Sequence, residues 1–376
     1  MEYKSIFFSD LSVNVHVASF MKNGAGEYYL SANFEEVPAL NAELQQEILE
    51  EAIERASNEY FNDLLLVWKR YFVSDSFNQR HFLTDTWSIV QQPPLDRSKI
   101  SVIAYFVSGK NSDINTLSDN SVMLVRPNYN HLFSGQMYSR EGNTFEQTTA
   151  IFESYMQSLL QHGMSLQDNT VRTWIYVHDV DNRYADMVEA RNRIFDKVGL
   201  TTHSIASTGI EGRYVYPDVF VLMDAYSTSV STDQITFLKA ETHLNPTCEY
   251  GVSFERGTAV DYADRRHIFI SGTASIDNNG EIVAINDIEK QIARTIENIE
   301  ALLTNGNAKI DDVAHFTIYL RDSGDYSIVK DYFDSRYPDT PSVIVLAPVC
   351  RPGWLIEIEC IAITDQLSPH PTWHKF

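Results

Sequence analysis

The last third of this chain and its middle third carry the same order of apolar segments. That internal repetition limits the fold more than any other feature. In the last third, Arg266 to Ile276 reads as a strand ending in small residues. Asp287 to Leu303 reads as a helix, with Ile288, Ile292, Ile296, Ile299 and Leu303 on one stripe. A strand follows over Val313 to Leu320, then a helix over Tyr326 to Tyr337, then two closing strands, Ser342 to Leu346 and Trp354 to Ala362. The order is β-α-β-α-β-β. The middle third repeats it: strand His131 to Met137, helix Thr144 to His162, strand Val171 to Val180, helix Tyr184 to Val198, a small-residue loop at Ala206 to Ile210, and a closing strand Asp218 to Ser227. The first third is a worn copy. Its opening strand is Glu27 to Phe34, its helix Glu43 to Asn58, its next strand Leu64 to Val73, and its closing strands Trp87 to Gln91 and Lys99 to Val107. Its second helix shrinks to around Phe77 to Leu83.

These segments predict an α+β protein of three β-α-β-α-β-β units, at residues 1–110, 120–230 and 245–366. Residues 108–121 and 227–247, rich in Ser, Thr, Asn and Asp, read as linkers. Each unit builds a four- to six-stranded sheet with two helices on one face. The other face stays bare unless another sheet covers it, so three units in one chain are expected to close around a pseudo-threefold axis. Clefts between such units are where ligand sites commonly lie.

The strand near the C-terminus poses a chemical question. Pro352-Gly353 makes a turn, and after it side chains alternate between two faces. Trp354, Ile356, Ile358, Cys360 and Ala362 form an apolar face for helices to cover. Leu355, Glu357, Glu359 and Ile361 form the other. A buried carboxylate costs several kcal/mol unless it is paired or hydrogen-bonded. Either Arg351 and other cations neutralise these two, or Glu357 faces a cleft and handles protons. Aligning the closing strands puts Leu222 in the middle unit, and roughly Ile103 in the first, at the position of Glu357. One copy in three keeps the carboxylate, which suggests one working cleft and two filled ones.

Charge narrows the partners. The chain has 376 residues, 44% hydrophobic and 21% charged, with a net charge of −22. Such a chain repels nucleic acid and anionic membrane, so neither is expected as a partner, and a small anionic substrate needs a locally basic pocket. Cys248, Cys350 and Cys360 have no metal-ligand spacing and cannot form a full disulfide set, which suits a reducing cytoplasm. Met1 to Phe7 lacks the pattern of a signal peptide, and no apolar run approaches the ~20 residues that span a bilayer. The eleven histidines show no metal-binding pair and no glycine-rich phosphate loop occurs, so neither metal nor cofactor is expected.

The unit resembles the RidA/YjgF family, also called the L-PSP endoribonuclease family, whose fold is chorismate-mutase-like. The resemblance rests on Phe269-Ile270-Ser271-Gly272, the helix Gln291 to Leu303, Asp311-Asp312-Val313 leading into Ile318-Tyr319-Leu320, and Leu355-Ile356-Glu357-Ile358-Glu359. It covers residues 250–365 well and 120–227 more faintly. It implies active sites at the interfaces of a trimer, held here within one chain, so a monomer is expected. The family's imine deaminases carry an Arg fifteen residues before the first Glu; this chain has Ser342 there. A second branch fits further. Chorismatases, including the 3-hydroxybenzoate synthase type, resemble a RidA trimer fused into one chain. Their motifs are similar to Cys350-Arg351-Pro352, Ser271 to Ile276, Phe254-Glu255-Arg256, Tyr184…Arg191 and Ala206 to Ile210. Asp277 to Glu281 and Cys360 depart from that pattern and leave room for another substrate.

The resemblance implies a lyase or hydrolase that cleaves the enolpyruvyl ether of chorismate, or of a related small dicarboxylate, releasing pyruvate and 3-hydroxybenzoate. Glu357, its pKa raised by the apolar strand, would be the general acid. A Cys at the position of Cys350 accompanies the aromatic product in the resemblance; its plainer role is a small buried hydrophobe. Arg191, Arg256 and Arg351 are the candidates for holding the carboxylates, since planar guanidinium forks bind them bidentately. Gly209 would let backbone N–H groups approach the ligand. Tyr184 is expected in the core. Two alternatives stay open: a RidA-type enamine or imine hydrolase with altered substrate anchoring, and a non-catalytic protein that binds a small carboxylate.

Overall fold

The computed structural model describes residues 1–376 except 62, 84–86, 110–111, 118–119, 248–250 and 374–376, so Cys248 lies outside the described residues. Among the described residues the chain forms three six-stranded mixed sheets. The first contains β1 (Glu2–Phe8), β2 (Val13–Lys22), β3 (Ala25–Phe34), β4 (Leu65–Val73), β5 (Ser88–Gln91) and β6 (Ile100–Val107), in the order β1-β2-β3-β6-β4-β5. Helix α1 (Ala42–Tyr60) covers it, and the short α2 (Ser76–Gln79) with a following turn is all that remains of a second helix. The second sheet contains β7 (Asp113–Thr116), β8 (Ser121–Val125), β9 (Asn130–Tyr138), β10 (Thr170–Val177), β11 (Ala206–Glu211) and β12 (Val221–Thr228), in the order β11-β10-β12-β9-β8-β7. Helices α3 (Thr144–Gln161), α4 (Leu166–Asn169) and α5 (Val180–Val198) belong to it. The third contains β13 (Ile235–Phe237), β14 (Gly257–Asp261), β15 (Arg265–Ala274), β16 (Val313–Leu320), β17 (Ser342–Leu346) and β18 (Ile356–Asp365), in the order β13-β14-β15-β18-β16-β17, with helices α6 (Ile288–Asn305) and α7 (Tyr326–Arg336).

Local chemistry explains the elements. Asp287 caps α6 by accepting the Lys290 N–H at 3.1 Å. All five residues of the stripe from Ile288 to Leu303 are buried. In each unit the closing strand lies in the middle of its sheet: β6 between β3 and β4, β12 between β9 and β10, and β18 between β15 and β16. A strand paired on both edges and covered on both faces must be almost wholly apolar. In β18 every residue but the last is buried.

Three expectations are corrected. Residues 113–116 and 235–237, within the segments read as linkers, pair at sheet edges. An edge strand is half solvated, so it carries no apolar pattern to find. Ala206 to Ile210 is strand β11, parallel to β10, and not a loop. Glu2 to Lys22 forms two further strands ahead of the first unit's opening strand.

The bare faces of the sheets meet as expected. Tyr29, Trp68 and Tyr105 of the first unit, Phe133, Trp174 and Tyr226 of the second, and Phe269 and Ile361 of the third share one core cluster around the axis. Buried ion pairs run round the ring: Arg70 to Asp224 at 3.1 Å from first to second, Arg172 to Glu359 at 2.7 Å from second to third, and Arg265 to Glu27 at 2.8 Å from third to first. Strand registers put Tyr319, Tyr176 and Arg70 opposite Glu357, Leu222 and Ile103. Tyr105, Tyr226 and Ile361 are equivalent, pairing respectively with Tyr29, Phe133 and Phe269 of the opening strand and, after the bulge of the other neighbour, with Trp68, Arg172 and His315. Glu357 and Leu222 therefore correspond to Ser101, and the Ile103 expected there corresponds to Glu359 and Asp224.

Candidate active site

Glu357 and Glu359 sit two residues apart on the inner face of β18 and meet different surroundings. Glu359 is fully partnered. Its Oε2 accepts from Arg172 Nη2 at 2.7 Å, its Oε1 accepts from Trp174 Nε1 at 2.7 Å, and the Thr208 hydroxyl donates to it as well. The neutralising cation is thus Arg172 of the second unit, not Arg351. Glu357 is 4% exposed. Among the described residues no side chain forms an ion pair or hydrogen bond with it. Burial pushes its pKa up to about 8; the Glu359 charge adds to the rise, and Arg172 and Arg256 oppose it. At neutral pH Glu357 is a carboxylic acid with a proton to give.

The carboxyl group rests on Gly272, where the pairing of β15 with β18 shifts by a β-bulge. A Cβ at Gly272 would lie 2.0 Å from Glu357 Oε1. Around this acid is a cavity between the second and third units. It is lined by Tyr184, Arg191, Ser207 and Gly209 from the second, and by Val252, Phe254, Arg256, Gly272, Cys350, Arg351, Trp354 and Glu357 from the third. Its free volume is about 40 Å³.

All six residues expected in a site are therefore brought together. Tyr184 and Arg191 lie two turns apart on the same face of α5. Arg191 is 1% exposed, and among the described residues its Nε and Nη2 have no hydrogen-bond partner. Burial lowers its pKa from the ordinary arginine value, with Tyr184 and Cys350 opposing. Buried donors are ordinarily paired, so two unmet ones on a guanidinium beside a cavity stand out, and their planar fork matches the geometry of a carboxylate. Arg256 donates from Nη2 to the Asn245 carbonyl at 3.1 Å and stands 5.4 Å from the Phe254 ring. Arg351 stands 4.9 Å from the Trp354 ring.

Cys350 is half-buried, and burial pushes its thiol up to about 12, with Glu357 adding and Tyr184 opposing. It stays a thiol and is not a poised nucleophile. Its loop is held from both sides: Arg321 Nη2 of the same unit donates to the Val349 carbonyl at 2.8 Å, and across the interface the Glu211 N–H donates to the Pro348 carbonyl at 3.2 Å.

Other expectations change. Tyr184 packs against the core, yet it forms a wall of the cavity. Gly209 is needed to make room for that ring, since a Cβ there would come within 2.8 Å of Tyr184 Cε2. Ser342 is not at the site; it lines a cleft between the first and third units. By register, the residue equivalent to Ser342 that faces Glu357 is Ser207 of the second unit, three before Ile210 as Ser342 is three before Val345. Trp354, expected on the helix-covered face, instead lines the cavity, and its buried Nε1 has no partner among the described residues. Gly272 had a readable signal, a glycine inside a strand, which marks close approach. At the equivalent positions Leu222 is buried in the second cleft, while Ser101 lines, with Ser342, a cavity of about 140 Å³ between the first and third units. The expectation of two filled clefts is corrected for that one. A Cβ at Gly135 in β9 would lie 2.1 Å from the Trp87 carbonyl, so the second cleft is closed there by Trp87. Among the described residues no group of three or more His, Cys, Asp or Glu is gathered to hold a metal. No helix among them is long and apolar enough to cross a membrane.

Known proteins agree with this architecture. Residues 258–364 match the family model of endoribonuclease L-PSP. Over 101 residues, 26% of this chain and 79% of the relative, the sequence is 37% identical to a RutC family protein of Pyrococcus abyssi. Over 97 residues, 25% of this chain and 77% of the relative, it is 28% identical to the 3-aminoacrylate deaminase RutC of Acinetobacter baylyi. A solved chorismatase superposes on 79% of this chain and 92% of its own, with a TM-score of 0.62 at 17% identity, which is a likeness of fold. With its ring of three units in one polypeptide, the chain belongs to the RutC, or endoribonuclease L-PSP, family.

Proposed function

We propose that this protein cleaves the enolpyruvyl ether of chorismate or of a closely related small dicarboxylate. The observation that carries the reading is Glu357, a buried acid held protonated near neutral pH in a cavity lined by three guanidinium groups. A monoacid needs one such group, and a diacid uses two. Arg191, with its unmet donors, would take one carboxylate, and Arg256 or Arg351 the other. Glu357 would protonate the methylene carbon of the enol ether. The resulting oxocarbenium ion has two exits. Addition of water gives a hemiketal that collapses to pyruvate and the ring alcohol, returning a proton to Glu357. Loss of pyruvate with rearrangement and aromatisation of the ring consumes no net water and gives 3-hydroxybenzoate. The un-ionised Cys350 lies beside the acid and would steer between these exits. The likeness of fold to chorismatase, over 79% of this chain, supports this reading. Purified protein mixed with chorismate should release pyruvate, and Glu357→Gln should not; retention of activity in that variant sinks the assignment.

A second reading draws on cavity size. About 40 Å³ of free space suits a small enamine acid better than a diacid built on a six-membered ring. A relative is named a 3-aminoacrylate deaminase, and protonation of an enamine carbon is the same step for Glu357. Under that reading ammonia is released from a small enamine acid and chorismate is ignored. A protein that only binds a carboxylate would bind equally well as Glu357→Gln. In each case the expected partner is a small anion, the expected state a monomer, and the expected compartment the cytoplasm.

A further inference from the structure

A second cavity, of about 460 Å³, lies beside the first and shares Val252, Phe254 and Arg256 with it. Its other walls include Leu200, Leu244 and Phe237, on which the His203 ring stacks at 4.4 Å between centroids. Pockets that hold drug-sized ligands run to about 300–1,000 Å³ and are mainly apolar with a few polar groups. The outer cavity has that size, with an apolar side formed by Leu200, Phe237, Leu244 and Phe254 in an otherwise mostly polar lining, and the inner one is far too small. The backbone beneath the shared wall is pinned. The Glu255 N–H donates to the Ile205 carbonyl at 3.1 Å, the Thr247 hydroxyl to the Phe254 carbonyl at 2.6 Å, and the Ser271 hydroxyl to the Glu255 carbonyl at 2.6 Å. The side chains shared by the two cavities are those of Val252, Phe254 and Arg256, and the Phe254 ring, the largest apolar one of them, can turn about its own bonds without breaking any of these.

We propose that the outer cavity is the second half of the substrate site. It holds the carbocyclic, largely apolar body of a carboxylate whose reacting acid end lies at Glu357. Phe254 is the partition that sets how large that body can be, and Arg256, present in both cavities, is the cation at the junction. The inference rests on the reading of the inner cavity as the reacting site, and it removes the objection from the inner cavity's size.

The test is calorimetric and needs no turnover. Pyruvate, 3-hydroxybenzoate and biphenyl-3-carboxylate are titrated into the full-length protein, Phe254→Ala, and two outer-wall variants, Thr202→Trp and His203→Ala. Pyruvate reports the inner cavity alone. The expected result is that Thr202→Trp weakens the two aromatic acids by roughly tenfold or more while pyruvate is unchanged, and that Phe254→Ala tightens the biphenyl acid by roughly tenfold. His203→Ala should weaken the aromatic acids in the same sense. Pyruvate and the aromatic acids responding alike, or neither responding to any outer-wall change, overturns the inference and leaves the inner site standing. No binding of any acid to the unaltered protein overturns both.

Discussion

Glu357 and Glu359 show how two identical side chains on one strand face are given different work by their neighbours. Glu359 accepts from Arg172, Trp174 and Thr208, while Glu357 meets glycine and open space. Substitutions should separate them. Glu357→Gln removes the proton donor, and the rate constant for pyruvate release should fall by about 10²–10⁴, the usual worth of general acid catalysis. Arg172→Met leaves Glu359 buried and unpaired; urea unfolding should reveal a loss of about 3–5 kcal/mol. Arg191→Met removes a buried cation with no carboxylate partner among the described residues. The same urea measurement should find stability unchanged or raised, while KM for the diacid rises at least tenfold. A large stability loss in Arg191→Met would mean the guanidinium is structural. Cys350→Ala should keep pyruvate release and shift the aromatic product toward the ring diol, read by mass and retention time.

At the scale of elements, β18 is the organising strand because it is paired on both edges, and the bulge in β15 gives Glu357 its seat. Gly272→Ala should push the carboxylate out of place. Turnover should drop by roughly a hundredfold while the far-ultraviolet circular dichroism is unchanged, in keeping with the cost of small misplacements in a reacting site. Long elements were legible from sequence because their burial is periodic: the α6 stripe and the apolar run of β18 announce themselves. Edge strands such as β7 and β13 were not, since solvent on one side erases the pattern. The two glutamates were legible as an anomaly; the closing-strand alignment reached Leu222 but missed Ser101 by one strand repeat, because Ile103 lies on the same face. What could not be read locally was pairing between units. Arg172 as the partner of Glu359, Ser207 rather than Ser342 facing Glu357, and Tyr184 in the cavity wall all depend on which unit's edge strand meets which sheet.

For the molecule as a whole, buried titratable groups should shape stability against pH. Burial holds His131 and His315 down to about 3. The folded state resists protonating them, so the stability they give is full above about pH 6.5 and is lost as pH falls toward 3. Glu357 acts in the opposite sense. Its folded pKa of about 8 lies above the unfolded value, so stability is full below about pH 4.5 and is lost as pH rises through about 8. Together with self-repulsion from a net charge of −22, these put the expected maximum of the thermal midpoint near about pH 6–7. Glu357→Gln should flatten the alkaline decline by several kcal/mol, at about 1.4 kcal/mol per pKa unit. Light scattering should give the mass of one chain, since the ring of units is closed within it.

The most direct measurement is pyruvate release from chorismate by the unaltered protein and by Glu357→Gln, from about pH 6 to about pH 10. The predicted result is turnover that holds at neutral pH, falls with a single ionisation near pH 8, and is missing from the variant. Turnover that ignores pH across that range, or persists in Glu357→Gln, would contradict the assignment of Glu357 as the acid. No pyruvate from the folded, unaltered protein would contradict chorismate as the substrate.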